Sequence, residues 1–204
     1  SNLVTIDVSL STAAVTSSGA LTFAPGNYNT VQTFTVTGAT NAIDHASDLT
    51  SVVSFDPKSL DGAYDTATAP NLSVTVSDDD VASVNGPALA TTIVDETSGN
   101  GLAVFSLATE PLGDVTITGT SSDANVCDLD VGQLVFTSGD YGTAQTFTIT
   151  GVSNDVDDAG ASRAATVSYA VSSAGDGVYN GLGAPSSTGV TVNDDDTTGV
   201  TVST

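Results

Sequence analysis

The sequence predicts an all-β protein built from two copies of one antiparallel sandwich. Short segments alternate apolar residues with Thr or Ser, as in Val4–Leu10, which is typical of half-buried strands. Turn-forming Gly, Asn, Asp and Pro separate these segments, and no segment shows convincing helical periodicity. A third observation, internal repetition, predicts that the strands form two related domains.

Two long segments recur 113 positions later in the chain. Leu21–Tyr28 matches Leu134–Tyr141, and Gln32–Gly38 matches Gln145–Gly151. A repeat of this length corresponds to a whole domain and not to a solenoid unit. We therefore expect a sandwich that lacks its first strands at 1–80, a complete sandwich at 81–196, and the start of a third repeat or a donor strand at 197–204.

The alternating segments predict the individual strands of each repeat. The first repeat has predicted strands at Val4–Leu10, Leu21–Phe23, Gln32–Thr37, Val52–Phe55 and Leu72–Val76. The second has predicted strands at Thr91–Val94, Leu102–Leu107, Val115–Thr118, Leu134–Phe136, Thr146–Thr150, Ala165–Val171 and Gly189–Val192. The first repeat has no segment that matches Thr91–Val94 or Leu102–Leu107.

The composition excludes several classes of function. With 24 acidic and 2 basic residues among 204, the net charge is −22, which excludes nucleic-acid binding through a basic surface and argues against anionic membranes. No apolar run is long enough to span a bilayer. A hydrophobic content of 39% argues against disorder.

The same composition indicates where the protein works. An acidic surface that is rich in Ser and Thr and poor in Lys is typical of an extracellular or cell-surface protein. The chain opens within a strand, so we expect it to be an internal fragment of a longer protein. The single cysteine, Cys127, is either a packed thiol or a partner for another chain.

Two runs of three aspartates follow predicted strands. Asp78–Asp80 comes after the strand that ends at Val76, and Asp194–Asp196 comes after the strand that ends at Val192. Adjacent carboxylates repel one another, and the chain has few basic residues to compensate them. A hard cation bound through oxygen is the natural partner, and Ca²⁺ is the expected one. The alternative is a pair of solvated acidic linkers.

The order of motifs in the second repeat resembles the Calx-beta domain family in its tandem, adhesin-like form. The motifs are an acidic residue after the first strand (Glu96), a Leu-Val-Phe strand followed by a Gly turn, an acidic loop, an Asp-Gly-Val-Tyr-Asn-Gly segment (Asp176–Gly181) and the closing triplet. This resemblance implies tandem immunoglobulin-like antiparallel β-sandwiches with Greek-key connections. It also implies Ca²⁺ among the loops at one end, with the ligands Glu96, Asp123, Asp155, Asp157, Asp158, Asp194, Asp195 and Asp196.

The resemblance is less complete in two places. Asn154 stands where the family often has Asp. The first repeat lacks a counterpart of Asp123 and has His45 where the second has Asp158. We therefore expect a weaker or partial site there, formed by Asp44, Asp48, Asp78, Asp79 and Asp80.

Catalytic chemistry is poorly supported by the sequence. His45 is the only histidine, no nucleophile motif surrounds it, and it lies in a different repeat from Cys127. The absence of Trp disfavours a sugar-stacking cleft. We expect no enzyme activity.

The expected function is that of a structural, Ca²⁺-rigidified repeat in a large extracellular adhesion or surface-filament protein. The alternative is a carbohydrate- or protein-binding accessory module of a secreted protein. The expected partners are neighbouring repeats of the same protein. Head-to-tail self-assembly is a further option, in which the strand-like segment 197–204 of one copy completes the first repeat of the next.

Overall fold

The computed structural model describes residues 2–89, 91–97, 100–158 and 161–200. Its regular structure is almost entirely β-strand, so the all-β prediction is confirmed. The chain divides into two compact units, Ser1–Asp79 (unit one) and Asp80–Thr204 (unit two). In the described part of the chain, the helices are single turns that are far too short to cross a membrane.

Unit one contains a four-stranded antiparallel sheet of order β3-β1-β5-β6 and a separate antiparallel pair, β2 with β4. Its elements are β1 (Val4–Leu10), β2 (Val15–Ser17), β3 (Leu21–Phe23), β4 (Val36–Gly38), β5 (Leu49–Ser59), α1 (Gly62–Asp65) and β6 (Leu72–Val76). The prediction for Gln32–Thr37 is wrong over Gln32–Thr35, because β4 begins only at Val36. The predicted Val52–Phe55 is the inner part of the longer β5.

Unit two contains a five-stranded sheet of order β12-β10-β14-β15-β8 and a four-stranded sheet of order β11-β13-β9-β7. Its elements are β7 (Val84–Asn85), β8 (Thr91–Asp95), β9 (Asn100–Leu107), β10 (Val115–Ser121), β11 (Cys127–Leu129), β12 (Gln133–Phe136), β13 (Gln145–Gly151), β14 (Arg163–Ser173), α2 (Gly177–Asn180) and β15 (Thr188–Asn193). All the strands predicted in this repeat are present, and β7 and β11 are additional. The predicted segment 197–204 is described only as far as Val200.

One strand pair differs from the antiparallel prediction. The opening strand β8 runs parallel to the closing strand β15, with Val94 opposite Val192 and Asp95 opposite Asn193. The backbone amide of Glu96 extends this pairing by donating to the carbonyl of Asn193 at 3.3 Å. Because the two strands run in the same direction, the residues that follow them emerge at the same end of the sheet.

The opening strand of unit two is divided between the two sheets. β7 pairs with β9 in the four-stranded sheet, and β8 pairs with β15 in the five-stranded sheet. Gly86 lies between them with a φ of 120°, and a Cβ there would lie 2.2 Å from the carbonyl oxygen of Val104. Glycine fits both the positive φ and this close approach.

Side chains from both sheets of unit two form one core. The ring of Phe105 in β9 lies 5.9 Å from that of Phe147 in β13 and 4.8 Å from that of Tyr169 in β14. Such edge-to-face pairs each contribute about 0.5–1.5 kcal/mol beyond the burial of their area. Cys127 is a fully buried free thiol in this core, as the packed-thiol interpretation predicts. The shared core fits a β-sandwich.

A tyrosine and an aspartate fix the loop between β9 and β10. The Asp176 carboxylate caps α2 by accepting the amides of Val178 and Tyr179, and it also accepts the amide of Leu112 at 2.8 Å. The Tyr179 hydroxyl lies 2.8 Å from the Thr109 carbonyl oxygen and accepts the Thr109 amide at 3.1 Å. Tyr179 is only 1% exposed.

The strand registers show which elements of the two units correspond. Val4 lies opposite Phe23 and Ser59, as Val115 lies opposite Phe136 and Ser173. Strands β1, β3, β5 and β6 therefore correspond to β10, β12, β14 and β15, and the pair β2–β4 corresponds to β11–β13. Within residues 2–79, no strand corresponds to β7, β8 or β9.

Candidate metal centre

Three carboxylates meet where β8 and β15 end. Glu96 follows β8 directly, and Asp194 and Asp196 follow β15, so the parallel pairing brings them together. Each offers an oxygen that lies within 4.8 Å of the other two. Glu96 is only 5% exposed, so its charge is largely removed from water. Such a cluster is electrostatically costly unless a cation balances it.

Arg163, the first residue of β14, supplies one positive charge to this cluster. Its guanidinium lies 2.6 Å from Glu96 Oε1, and its side chain is 20% exposed while that of Glu96 is fully buried. The same guanidinium donates to the carbonyl oxygens of Asn125, at 2.7 Å, and of Val152. Arg163 therefore ties the end of β8 to two loops on the same end of unit two.

Asp196 has an oxygen that this arrangement leaves unsatisfied. Its Oδ2 is buried and has no hydrogen-bond partner among the described residues, while its backbone amide donates to Asp194 Oδ1 at 3.1 Å. Burial raises the pKa of Asp196, and the charges of Glu96, Asp194, Asp195 and Asp155 raise the same pKa further. The net charge of the surroundings is thus negative at Asp196 in spite of Arg163.

The other carboxylates predicted for unit two lie around this cluster in different roles. Asp155 acts on Asp196 through its charge. Asp195 accepts the Thr97 hydroxyl, and Asp157 accepts the amide and hydroxyl of Thr198. The backbone amide of Asp158 donates to Asp194 Oδ2 at 2.8 Å, so the triplet anchors the acidic loop directly.

Asp123 is not part of the cluster. It is exposed, and its Oδ1 accepts the backbone amide of Asn125 at 2.9 Å and the side-chain amide of Asn125 at 3.2 Å. This local turn places the Asn125 carbonyl against Arg163. In this structure Asp123 shapes the loop that contacts the arginine, and its role as a metal ligand stays a prediction.

One part of this arrangement recurs after β6. Asp78, Asp79 and Asp80, which are adjacent in sequence, each offer an oxygen within 4.8 Å of the others. The His45 amide donates to Asp78 Oδ2 at 2.5 Å, which is the counterpart of the contact between Asp158 and Asp194. Among the described acidic residues, Asp44 and Asp48 do not belong to this group. Asp48 instead accepts the Ser77 hydroxyl at 3.5 Å.

The basic residue of unit two has no equivalent in unit one. Leu49 lies opposite Val76 in the register that places Arg163 opposite Val192. Leu49 cannot balance acidic charge, and residues 2–79 contain no counterpart of the strand that carries Glu96. The weaker or partial site expected in unit one stays a prediction.

Two contributions to the unit-two site were not predicted from the sequence, although one of them comes from Asn154, which was noted there as a departure from the family pattern. Arg163 was not singled out, although it is one of only two basic residues in the chain. Asn154 donates its backbone amide to Glu96 Oε2 at 3.2 Å and its side-chain amide to Glu96 Oε1 at 3.4 Å. An ionised aspartate cannot donate the second of these contacts, so the asparagine has a structural role here.

No protein-family model matches this chain, and no curated protein is found to be similar to it. The functional interpretation therefore depends on the residues of the site themselves.

Proposed function

We propose that unit two binds Ca²⁺ through Glu96, Asp194 and Asp196, and that the chain is a Ca²⁺-rigidified structural module of a large extracellular adhesion or surface-filament protein. The orphaned oxygen of Asp196 carries this proposal. A buried carboxylate oxygen without a partner is costly, and it is expected where an ion completes the contacts.

The charge balance supports a divalent cation. Three clustered carboxylates against one guanidinium leave a formal charge of −2 before Asp155 and Asp195 are considered. Carboxylate and carbonyl oxygens are hard ligands, and Ca²⁺ takes six to eight of them. The group contains no His or Cys, which disfavours zinc. Asp155 and Asp195 are the nearby residues that would add oxygen ligands.

A metal at this position would stiffen the exit from unit two. The cluster joins the end of β8, the acidic loop at 152–158 and the segment after β15. Cross-linking these segments would restrict the direction in which the chain leaves the domain. This supports a role as a spacer whose stiffness depends on Ca²⁺, in which unit one contributes a weaker site or none.

The finer fold assignment is part of the same proposal. Two sheets that share one core, with an opening strand divided between them, support an immunoglobulin-like sandwich of the Calx-beta kind in unit two. Unit one shares its strand registers and would be the same sandwich without its opening strands.

The first test is a thermal melt of the full chain in excess chelator and in excess Ca²⁺. Extracellular Ca²⁺ modules have a Kd of roughly 10⁻⁴–10⁻³ M. At a tenfold excess over Kd, one site stabilises the folded state by about 1.4 kcal/mol, which raises Tm by about 5 °C. Asp196→Asn keeps the shape of the side chain, removes its charge, and should abolish most of this rise.

Asp114→Asn is the matched control. Asp114 is exposed and directly precedes β10. The first residue of β10 lies opposite Ser173, which is the last residue of β14, whereas Arg163 is the first. Eleven residues of strand separate these ends by about 33 Å. The control should keep the full Ca²⁺ response. An equal loss in both variants would mean that Ca²⁺ acts on the diffuse negative charge and not at this site.

A further inference from the structure

Unit one contains an open apolar groove on the face that is covered in unit two. The groove has a volume of about 600 Å³, and its lining includes Val4, Ile6, Phe23, Tyr28 and Tyr64. Tyr28 is 71% exposed and Tyr64 is 53% exposed. Exposed aromatic side chains around an apolar groove are unusual on a soluble domain unless something binds there.

Most of the corresponding residues of unit two are buried in the core, and β9 and the loop after it contact two of them. Val115, Ile117 and Phe136, which match Val4, Ile6 and Phe23 in register, are fully buried. The Leu107 amide of β9 donates to the carbonyl of Tyr141, the match of Tyr28. Thr109 bonds the hydroxyl of Tyr179, the match of Tyr64.

A second feature of unit one is a segment that has the sequence of a strand but does not form one. Gln32–Thr35 and Gln145–Thr148 are both Gln-Thr-Phe-Thr, yet only the second segment is in a strand. In unit two this segment pairs with β9, with Gln145 opposite Phe105 and Phe147 opposite Ala103. The segment in unit one therefore has the sequence of a strand but no neighbour on that side within residues 2–79.

Unit one contains counterparts of the two aromatic rings that Phe105 of β9 contacts in unit two. In unit two, Phe105 packs against both Phe147 and Tyr169. Their counterparts in unit one, Phe34 and Phe55, are in edge-to-face contact at 5.6 Å, whereas the rings of Phe147 and Tyr169 are tilted at 5.7 Å. A phenylalanine presented by an added strand would meet the same two rings.

We infer that the groove of unit one binds an extended segment of the β9 kind by strand addition. The segment pairs antiparallel with Gln32–Thr35, places a small, an aromatic and an aliphatic residue at alternate inward positions, and ends with a threonine that bonds Tyr64. Backbone hydrogen bonds supply affinity and the inward side chains supply specificity, as in other strand-addition complexes. This inference does not depend on Ca²⁺.

The probe is a synthetic peptide of residues 100–110, and the acceptor is the full chain. We expect saturable binding by calorimetry, and slower hydrogen exchange at the amides of Gln32–Thr35. A peptide carrying Phe105→Asp should bind at least tenfold more weakly. No binding at millimolar peptide, equal binding of both peptides, or protection confined to other strands would overturn the inference.

Two protein variants locate the binding. Tyr64→Ser lies in the groove and should weaken peptide binding at least tenfold, while Leu60→Ser, at a 93% exposed position outside the groove lining, should not. Light scattering of the chain without peptide tests whether a segment of a second copy occupies the groove instead. The chain could assemble in a concentration-dependent way that already protects Gln32–Thr35 from hydrogen exchange. If that assembly disappears when 197–204 is deleted, the groove is occupied by this segment of a second copy, and the inference is overturned.

Discussion

Arg163 offers the most discriminating perturbation of the charge balance in unit two. Arg163→Met keeps much of the length of the side chain and removes its charge and donors. Glu96, whose side chain is fully buried, would then lose its ion pair. Removing one partner of a buried pair costs about 3–5 kcal/mol. Because the Arg163 side chain is 20% exposed, water would replace part of its interaction with Glu96. We therefore expect a loss of folding free energy at the lower end of this range, about 3 kcal/mol.

The assay is differential scanning calorimetry in chelator and in Ca²⁺. In chelator, a loss of about 3 kcal/mol should lower the Tm of unit two by about 10 °C. In Ca²⁺ the variant should recover part of that loss, because the metal supplies the positive charge that the arginine no longer provides. The Tm rise produced by Ca²⁺ should therefore be larger in the variant than in the unchanged protein.

Lys58→Met is the control, because Lys58 is the other basic residue of the chain. It pairs with Asp56 at 2.7 Å, but the two side chains are 53% and 63% exposed. Exposed pairs contribute about 0–1 kcal/mol, so this variant should melt within about 3 °C of the unchanged protein. If Arg163→Met behaves like the control, or if its Ca²⁺ response is no larger, the shared-charge interpretation is wrong.

Two further predictions concern unit two away from the metal centre. Tyr179→Phe should destabilise the protein by about 1–3 kcal/mol in a denaturant melt, because the buried Thr109 amide loses its acceptor, whereas Tyr64→Phe at an exposed position should change little. The Thr137 amide and hydroxyl donate to Asp140 and lower the pKa of its carboxyl group. The ionised carboxylate therefore stabilises the fold at pH values above its unfolded pKa of 3.8. This stabilisation is lost as the pH falls through the lower pKa of the folded state. Asp140→Asn should flatten that part of the acid melt, and an unchanged acid profile would contradict the assignment.

The two Gln-Thr-Phe-Thr segments show that the same local sequence can form a strand in one unit and not in the other. Alternation correctly indicated a strand at Thr146–Thr150, but the strand that it indicated over the matching residues 33–35 does not form. The difference is β9, which supplies the neighbour in unit two. A strand needs a partner to satisfy its backbone groups, and partner availability is a non-local property that the local pattern does not contain.

The parallel pairing of β8 and β15 is a second example. Both strands were predicted, but alternation does not specify which strands become neighbours or in which direction they run. The site depends on this pairing, because it brings Glu96 to Asp194 and Asp196. Acidic runs and the family resemblance identified these three residues. The roles of Arg163 and Asn154 were not predicted, because they arise only when separate strands and loops meet.

Calorimetric titration of Ca²⁺ into the full chain tests the central claim most directly. Metal-free protein should give saturable heat with a Kd of roughly 10⁻⁴–10⁻³ M. The double variant Asp194→Asn with Asp196→Asn should lose the tighter binding event, and Asp114→Asn should retain it. Absence of saturable heat in millimolar Ca²⁺, or the same isotherm for the double variant, would contradict a Ca²⁺ site at the end of β8 and β15.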